Sequence, residues 1–208
     1  MDALDMEMLE SLDALTHLYQ RPTQRVIDKE IDHVNAAGRA FIAASPFLVL
    51  ATAGSNGLDC SPKGDKPGFV QVSEDGKSLF IPDRRGNNRI DSLKNLVEDP
   101  RVAMIFFVPG ANETYRVNGR ARVSAHPVLR RQFAVGGKAP ATVIVVAVEQ
   151  AFQHCPKALI RSHLWKSAEN GRPQGVPTLG GFAAARHPEL DGAALDAEYA
   201  ARIPSELY

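Results

Sequence analysis

Cysteine is scarce in this sequence: two residues, Cys60 and Cys155, share no C-x-x-C and no regular spacing, which excludes a disulfide framework and a zinc ribbon. Excess charge is lacking too. Lys+Arg and Asp+Glu balance at 24 each, so no overall field draws the chain to nucleic acid or to an anionic membrane surface, and any anion site has to be local. Long apolar runs are also missing. Those around residues 46–53, 102–109 and 143–148 are far too short to cross a bilayer. The start, Met1-Asp2-Ala3-Leu4-Asp5-Met6-Glu7, is acidic and lacks the basic start and apolar centre of a secretory signal. The expectation is a soluble, cytoplasmic protein with neither a membrane nor a nucleic-acid partner.

Several chemistries are excluded by motif. Gly137-Lys138 is followed by Ala139 and lacks the earlier glycine of a Walker A loop, and Gly54-Ser55-Asn56-Gly57 is not a G-x-S-x-G elbow. No G-x-G-x-x-G follows a strand, which argues against a Rossmann site. Histidines are scattered, and His154-Cys155 with His163 lacks a convincing fourth ligand, so no metal site is expected.

What is present is an ordinary globular composition, 44% hydrophobic and 23% charged over 208 residues, enough for one domain with appendages. Helical spacing of Leu4, Met8, Leu12, Leu15 and Leu18 predicts an amphipathic helix over residues 4–19, and a second runs from Pro22 until Ser45-Pro46 stops it. The period then changes to that of strands. These fall at 47–53, 58–63, 68–73, 78–81, 101–108, 113–124 and 141–152, with one helix inserted from about Asn88 to Glu98 and a short one opened by Pro127. The β-branched run Thr142-Val143-Ile144-Val145-Val146 suggests burial on both faces. A helix from Pro156 to about Trp165, an irregular Gly/Pro-rich arm and a terminal helix from about Pro188 to Arg202 follow. This is a mainly β core with flanking helices, whose closure into a small barrel would remove exposed edges. It divides into N-terminal helices (1–45), a barrel domain (46–166) and a C-terminal arm and helix (167–208).

Three segments carry chemistry. In the first, Ile81-Pro82-Asp83-Arg84-Arg85-Gly86-Asn87-Asn88-Arg89 joins a strand to a helix start, where arginine forks and free backbone N–H groups suit a phosphate. Arg89 is expected to bind most strongly, and one of Arg84 and Arg85 to point into solvent. The plainer reading is a turn with a near capping box. In the second, Asp59-Cys60-Ser61-Pro62-Lys63-Gly64-Asp65, Ser61 offers a hydroxyl and Lys63 a charge, unless this is only an edge strand ending in a basic turn. In the third, Lys157, Arg161 and Trp165 fall at i, i+4 and i+8 and could frame an aromatic, anionic ligand. Its plainer reading is a solvated basic face with the tryptophan in the core.

Together these segments, with Ser45-Pro46-Phe47, Glu98-Asp99-Pro100-Arg101-Val102, Thr114-Tyr115-Arg116-Val117-Asn118-Gly119-Arg120 and His154-Cys155-Pro156-Lys157, resemble the pyridoxamine 5′-phosphate oxidase-like, FMN-binding split-barrel superfamily over about residues 40–166. The resemblance implies a six-stranded split barrel, a homodimer, and one FMN per subunit in a groove at the interface. Ser61, Pro62 and Lys63 would run along the ring, Arg84, Asn87, Asn88 and Arg89 would hold the phosphate, and Lys157, Arg161 and Trp165 would approach from the other subunit. It further implies an oxidoreductase of a small organic substrate, with no residue marked as catalytic acid or base. A carrier or sensor holding flavin or haem without turnover is the alternative. The chain departs from the vitamin B6 oxidases in lacking the R-x-[VM]-L-L-K strand, the usual register of the phosphate motif and the R-L-x-P ending, of which Arg202-Ile203-Pro204-Ser205 is a faint echo.

Overall fold

The computed structural model describes the backbone of residues 8–168 and 171–208, and the chain falls into two compact units, residues 1–30 and 31–208. In the first unit, α1 (Leu12–His17) starts at Ser11, whose hydroxyl accepts the Ala14 N–H at 3.1 Å, and α2 (Gln24–Ile27) is a single turn. The first part of the helix predicted over residues 4–19 lies outside the described residues. Leu12, Leu15, Leu18, Val26 and Ile27 are exposed.

The helix expected from Pro22 to Ser45 is broken in two. Its first part is the single turn α2, and its second is α3 (Ala36–Ala44), capped by Asn35, whose side chain accepts the Gly38 N–H at 2.9 Å. Between them Ile31 exchanges two backbone hydrogen bonds with Ala151, and Val34 N–H reaches Gly76 O at 2.9 Å. Apolar residues at helical spacing are thus used in extended pairing with a strand, where burial outweighs local propensity.

Among the described residues, β1 (Phe47–Gly54), β2 (Gly57–Gly64), β3 (Gln71–Val72), β4 (Ser78–Pro82), β5 (Arg101–Phe107), β6 (Thr114–Ser124) and β7 (Val143–His154) form one antiparallel sheet in the order β2-β1-β5-β6-β7-β4-β3. The count matches the seven strands read from the sequence and not the six that the resemblance implies, and the segment predicted at 68–73 contributes only the two residues of β3. No backbone pairing joins β2 to β3 among the described residues, so the sheet stays open. β2 is an edge strand, which is where a sheet tolerates its Pro62. Alternation along β1, β5 and β6 sends Leu48, Leu50, Met104, Phe106 and Val117 into the core with Ile81, Ile144 and Val146. α4 (Asp91–Glu98) packs Leu96 against β1, and Asn95 Nδ2 donates to Thr52 Oγ1 at 3.1 Å.

After β6 come α5 (Pro127–Gln132) and, beyond β7, α6 (Lys157–Ser162), α7 (Leu164–Ala168), α8 (Leu179–Arg186) and α9 (Gly192–Glu206). The helix predicted to run unbroken to Trp165 is interrupted at His163, which takes a left-handed φ of 50°. Trp165 therefore does not continue the face carrying Lys157 and Arg161.

Tyr115 on β6 is buried beneath Gly38, with Phe41 beside its ring, and its hydroxyl has no hydrogen-bond partner among the described residues. Burial raises its pKa. A group raised in the folded state contributes stability that is complete below its ordinary pKa and is lost as pH rises through the folded value. Tyr115→Phe is expected to leave stability within about 1 kcal/mol at neutral pH, since it removes an unsatisfied hydroxyl, and to reduce the loss at alkaline pH. Urea denaturation of both proteins at neutral and high pH tests this; a large neutral-pH loss would show that the hydroxyl is bonded.

Candidate functional site

Period-two alternation puts Asp59, Ser61 and Lys63 on one face of β2. The chain leaving β4 comes to meet them. Lys63 Nζ donates to Asp83 Oδ1 at 3.1 Å, and Arg84 Nε donates to Asp65 Oδ2 at 2.5 Å. Ion pairs thus span the gap that backbone pairing leaves open. They frame a cavity of about 630 Å³ between β2, the turn after β4, the start of α4 and Tyr199 of α9.

The turn is an unusual piece of backbone. Asn88 and Ile90 both have positive φ, at 60° and 51°, and for a β-branched residue that conformation is costly. Asn87 Oδ1 accepts the Arg89 N–H at 3.1 Å, and the helix begins at Asp91. The predicted start near Asn88 is three residues early, and the near capping box between Asn88 and Asp91 does not cap it, because Ile90 occupies the N-cap position. Two left-handed residues delay the helix start, and Arg85, Gly86, Asn87 and Arg89 border the cavity.

The three arginines are used differently. Arg84 is 17% exposed and committed: beyond Asp65, its Nη1 donates to Phe133 O at 2.7 Å, and its guanidinium lies 5.8 Å from the centre of the Tyr208 ring. Arg85 is exposed and lines the cavity. Arg89 is 75% exposed, also lines it, and donates from Nε to Asp91 Oδ2 at 2.8 Å, a bond that raises its pKa and keeps it charged.

Ser61 and Ser92 each place a hydroxyl 2.8 Å from Asp59 Oδ2 and 3.0 Å from one another, and the Asp59 charge also favours the charged form of Arg89. The carboxylate and the two hydroxyls form one bonded cluster on the cavity wall that also holds Arg85 and Arg89. Asp65 stands behind the arginine turn with its side chain 4% exposed. Burial pushes its carboxyl up, but hydrogen bonds from the Tyr208 hydroxyl, the Lys66 N–H and Arg84 outweigh that and hold it below the usual carboxylate range.

Of the residues singled out from sequence, Ser61, Pro62, Lys63, Arg84, Asn87 and Arg89 line this cavity, and Asn88 shapes its turn. Lys157, Arg161 and Trp165 do not line it. Lys157 and Arg161 are exposed on α6, and Trp165 borders a separate apolar groove with Phe47, Val49, Phe107 and Pro109, its Nε1 donating to Ala111 O at 2.6 Å. Sequence reasoning missed Ser92, Tyr199 and Tyr208. Spacing along β2 does mark Asp59 with Ser61 and Lys63, but no local pattern announces two tyrosines more than a hundred residues away.

Residues 34–155 match the family model described as pyridoxamine 5′-phosphate oxidase. No curated protein matches. Similar solved structures include HupZ of Group A Streptococcus (15% identity over 58% of this chain and 93% of that one, TM-score 0.48) and a candidate pyridoxamine 5′-phosphate oxidase of Lactobacillus delbrueckii (17%, 59% and 95%, 0.47). General stress protein 26 of Bacillus anthracis is similar as well (14%, 55% and 88%, 0.41).

Proposed function

Since the chain belongs to the pyridoxamine 5′-phosphate oxidase family, we propose that its cavity binds FMN and that the protein is an oxidoreductase of a small organic substrate. The observation that carries this reading is a cavity that gathers cationic and amide donors (Arg85, Asn87, Arg89) from the turn after β4 with Asp59, Ser61 and Lys63 from one face of β2 and Ser92 from the start of α4. Those residues fit a ligand that carries both a phosphate and a polar ring edge, and about 630 Å³ is a normal size for such a site. Bound FMN would supply hydride or electron transfer. The chain's own residues would bind and orient: Arg85 and Arg89 hold the phosphate, Lys63 brings positive charge to the ring's edge, and the Asp59 cluster accepts its N–H.

The split barrel belongs to the same reading, with the sheet curled until the Lys63–Asp83 and Arg84–Asp65 pairs bridge its two ends. A homodimer completes it. Lys157, Arg161 and Trp165 lie outside the cavity of their own chain, and the apolar groove around Trp165 offers a surface on which a second copy can seat. An obligate interface buries roughly 2,000 Å² or more. Among the described residues no helix is long and apolar enough to cross a membrane.

The expected outcome is a yellow purified protein that releases FMN on denaturation, identified by mass spectrometry, with turnover measured afterwards against NADH or NADPH. A colourless protein that neither carries nor takes up FMN would overturn the proposal.

A further inference from the structure

α8 and α9 form a hairpin that is well made internally. Thr178 caps α8, Gly180 N–H donates to Asp196 Oδ1 at 2.8 Å, and the two helices approach so closely at Gly180 and Gly192 that a Cβ at either would meet the other's backbone. Among the described residues, no strand or other helix packs extensively against either. What ties the hairpin to the sheet is a small set of side chains concentrated at the cavity. Tyr199 lines it. Tyr208 hydroxyl donates to Asp65 Oδ1 at 2.6 Å, its ring lies under Arg84, and its backbone oxygen accepts from Lys138 Nζ at 3.0 Å.

We propose that the α8–α9 hairpin is a strap across the cavity, with Tyr199 as an aromatic wall against the ligand and Tyr208 as the anchor whose release governs entry. An element joined to the body at one end by the chain and at the other by one tyrosine has two discrete arrangements, pinned and free, and the anchor's hydrogen bonds set their balance. Asp65 and Arg84 sit between the anchor and the arginine turn, so the residue that fastens the strap also touches the pair that holds the site's wall. The identity of the ligand rests on the FMN reading above; the strap itself does not.

The test separates the two. In a Cys60→Ser, Cys155→Ser background, Ser61→Cys places a thiol on the cavity face, and its alkylation by iodoacetamide reports access whatever the natural ligand. Adding Tyr208→Phe removes one hydrogen bond to a charged acceptor and is expected to speed alkylation about tenfold. Lys138→Ala, which touches neither Asp65 nor Arg84, should speed it less. In a separate Cys155→Ser protein that keeps Cys60 and Ser61, the rate at Cys60, which is exposed and outside the cavity, should be unchanged by Tyr208→Phe. FMN association, followed by fluorescence, should quicken in parallel. Equal Ser61→Cys rates with and without Tyr208→Phe and Lys138→Ala overturn the strap, as does an FMN association rate indifferent to both. If the wild-type protein takes up no FMN, the cofactor reading falls while the alkylation rates still decide the strap.

Discussion

Arg89→Ala is expected to weaken FMN binding about ten- to a hundredfold, the effect of one lost charge-assisted hydrogen bond to a phosphate, and to leave riboflavin affinity almost unchanged. Riboflavin has the same ring and side chain without the phosphate, so the ratio of the two affinities isolates the anion. Arg89 is the residue to test because it is exposed at the cavity wall and, among the described residues, its side chain bonds only through Nε, to Asp91. Arg85→Ala should behave in the same way with a smaller loss. Arg84→Ala should differ in kind: its donors are engaged by Asp65 and Phe133 O, so both ligands should lose affinity together as the turn slackens. Titrations followed by flavin fluorescence check all three. Equal losses of FMN and riboflavin in Arg89→Ala would show that the arginine shapes the loop and does not grip the anion. Added salt should also narrow the FMN preference, since exposed charges are screened.

Asp65→Asn is expected to cost about 3 kcal/mol of folding stability, because breaking one partner of a buried ion pair leaves the other charge uncompensated. The carboxylate is 4% exposed and accepts from Arg84, the Lys66 N–H and the Tyr208 hydroxyl. Its depressed pKa fixes the sign of the pH dependence. The wild-type protein holds this contribution above the ordinary carboxylate range and loses it as pH falls through the folded value, whereas Asp65→Asn should lack it throughout. Denaturant titrations between neutral and acid pH test both statements. A variant as stable as wild type at neutral pH would mean that solvent compensates Arg84.

The strands were legible because each carries its own signal: alternation along β1 and β5, a β-branched run in β7, and turns punctuated by glycine. The helices were less so, for physical reasons visible at particular residues. Ile31 and Val34 sit at helical spacing but bond across to Ala151 and Gly76, a choice made by tertiary contact and not by local preference. Ile90 and His163 adopt left-handed backbone that no rule about isoleucine or histidine foretells, and these two positions moved the start of α4 and split the helix before Trp165. At the site, residue types marked the arginine turn, yet they could not say that Arg84 is spent on Asp65 while Arg85 and Arg89 face the cavity. That distinction depends on a carboxylate nineteen residues earlier in the chain. The tyrosines of the C-terminal region were illegible for the same reason, since only the fold brings them to β2.

Pro62 has a consequence for how copies of the chain avoid one another. The two-residue turn between Gly54 and Gly57 closes on a hydrogen-bonded pair, and such pairs alternate along an antiparallel ladder, so Val49 and Pro62 face each other at a position without ladder bonds. The nitrogen of Pro62 therefore points away from β1, along the open rim of the sheet. A foreign strand laid on that rim would find a missing donor midway along eight residues, with the charged side chains of Asp59 and Lys63 on either side of it. The same stretch that lines the ligand cavity is thus a poor template for fibrous self-association.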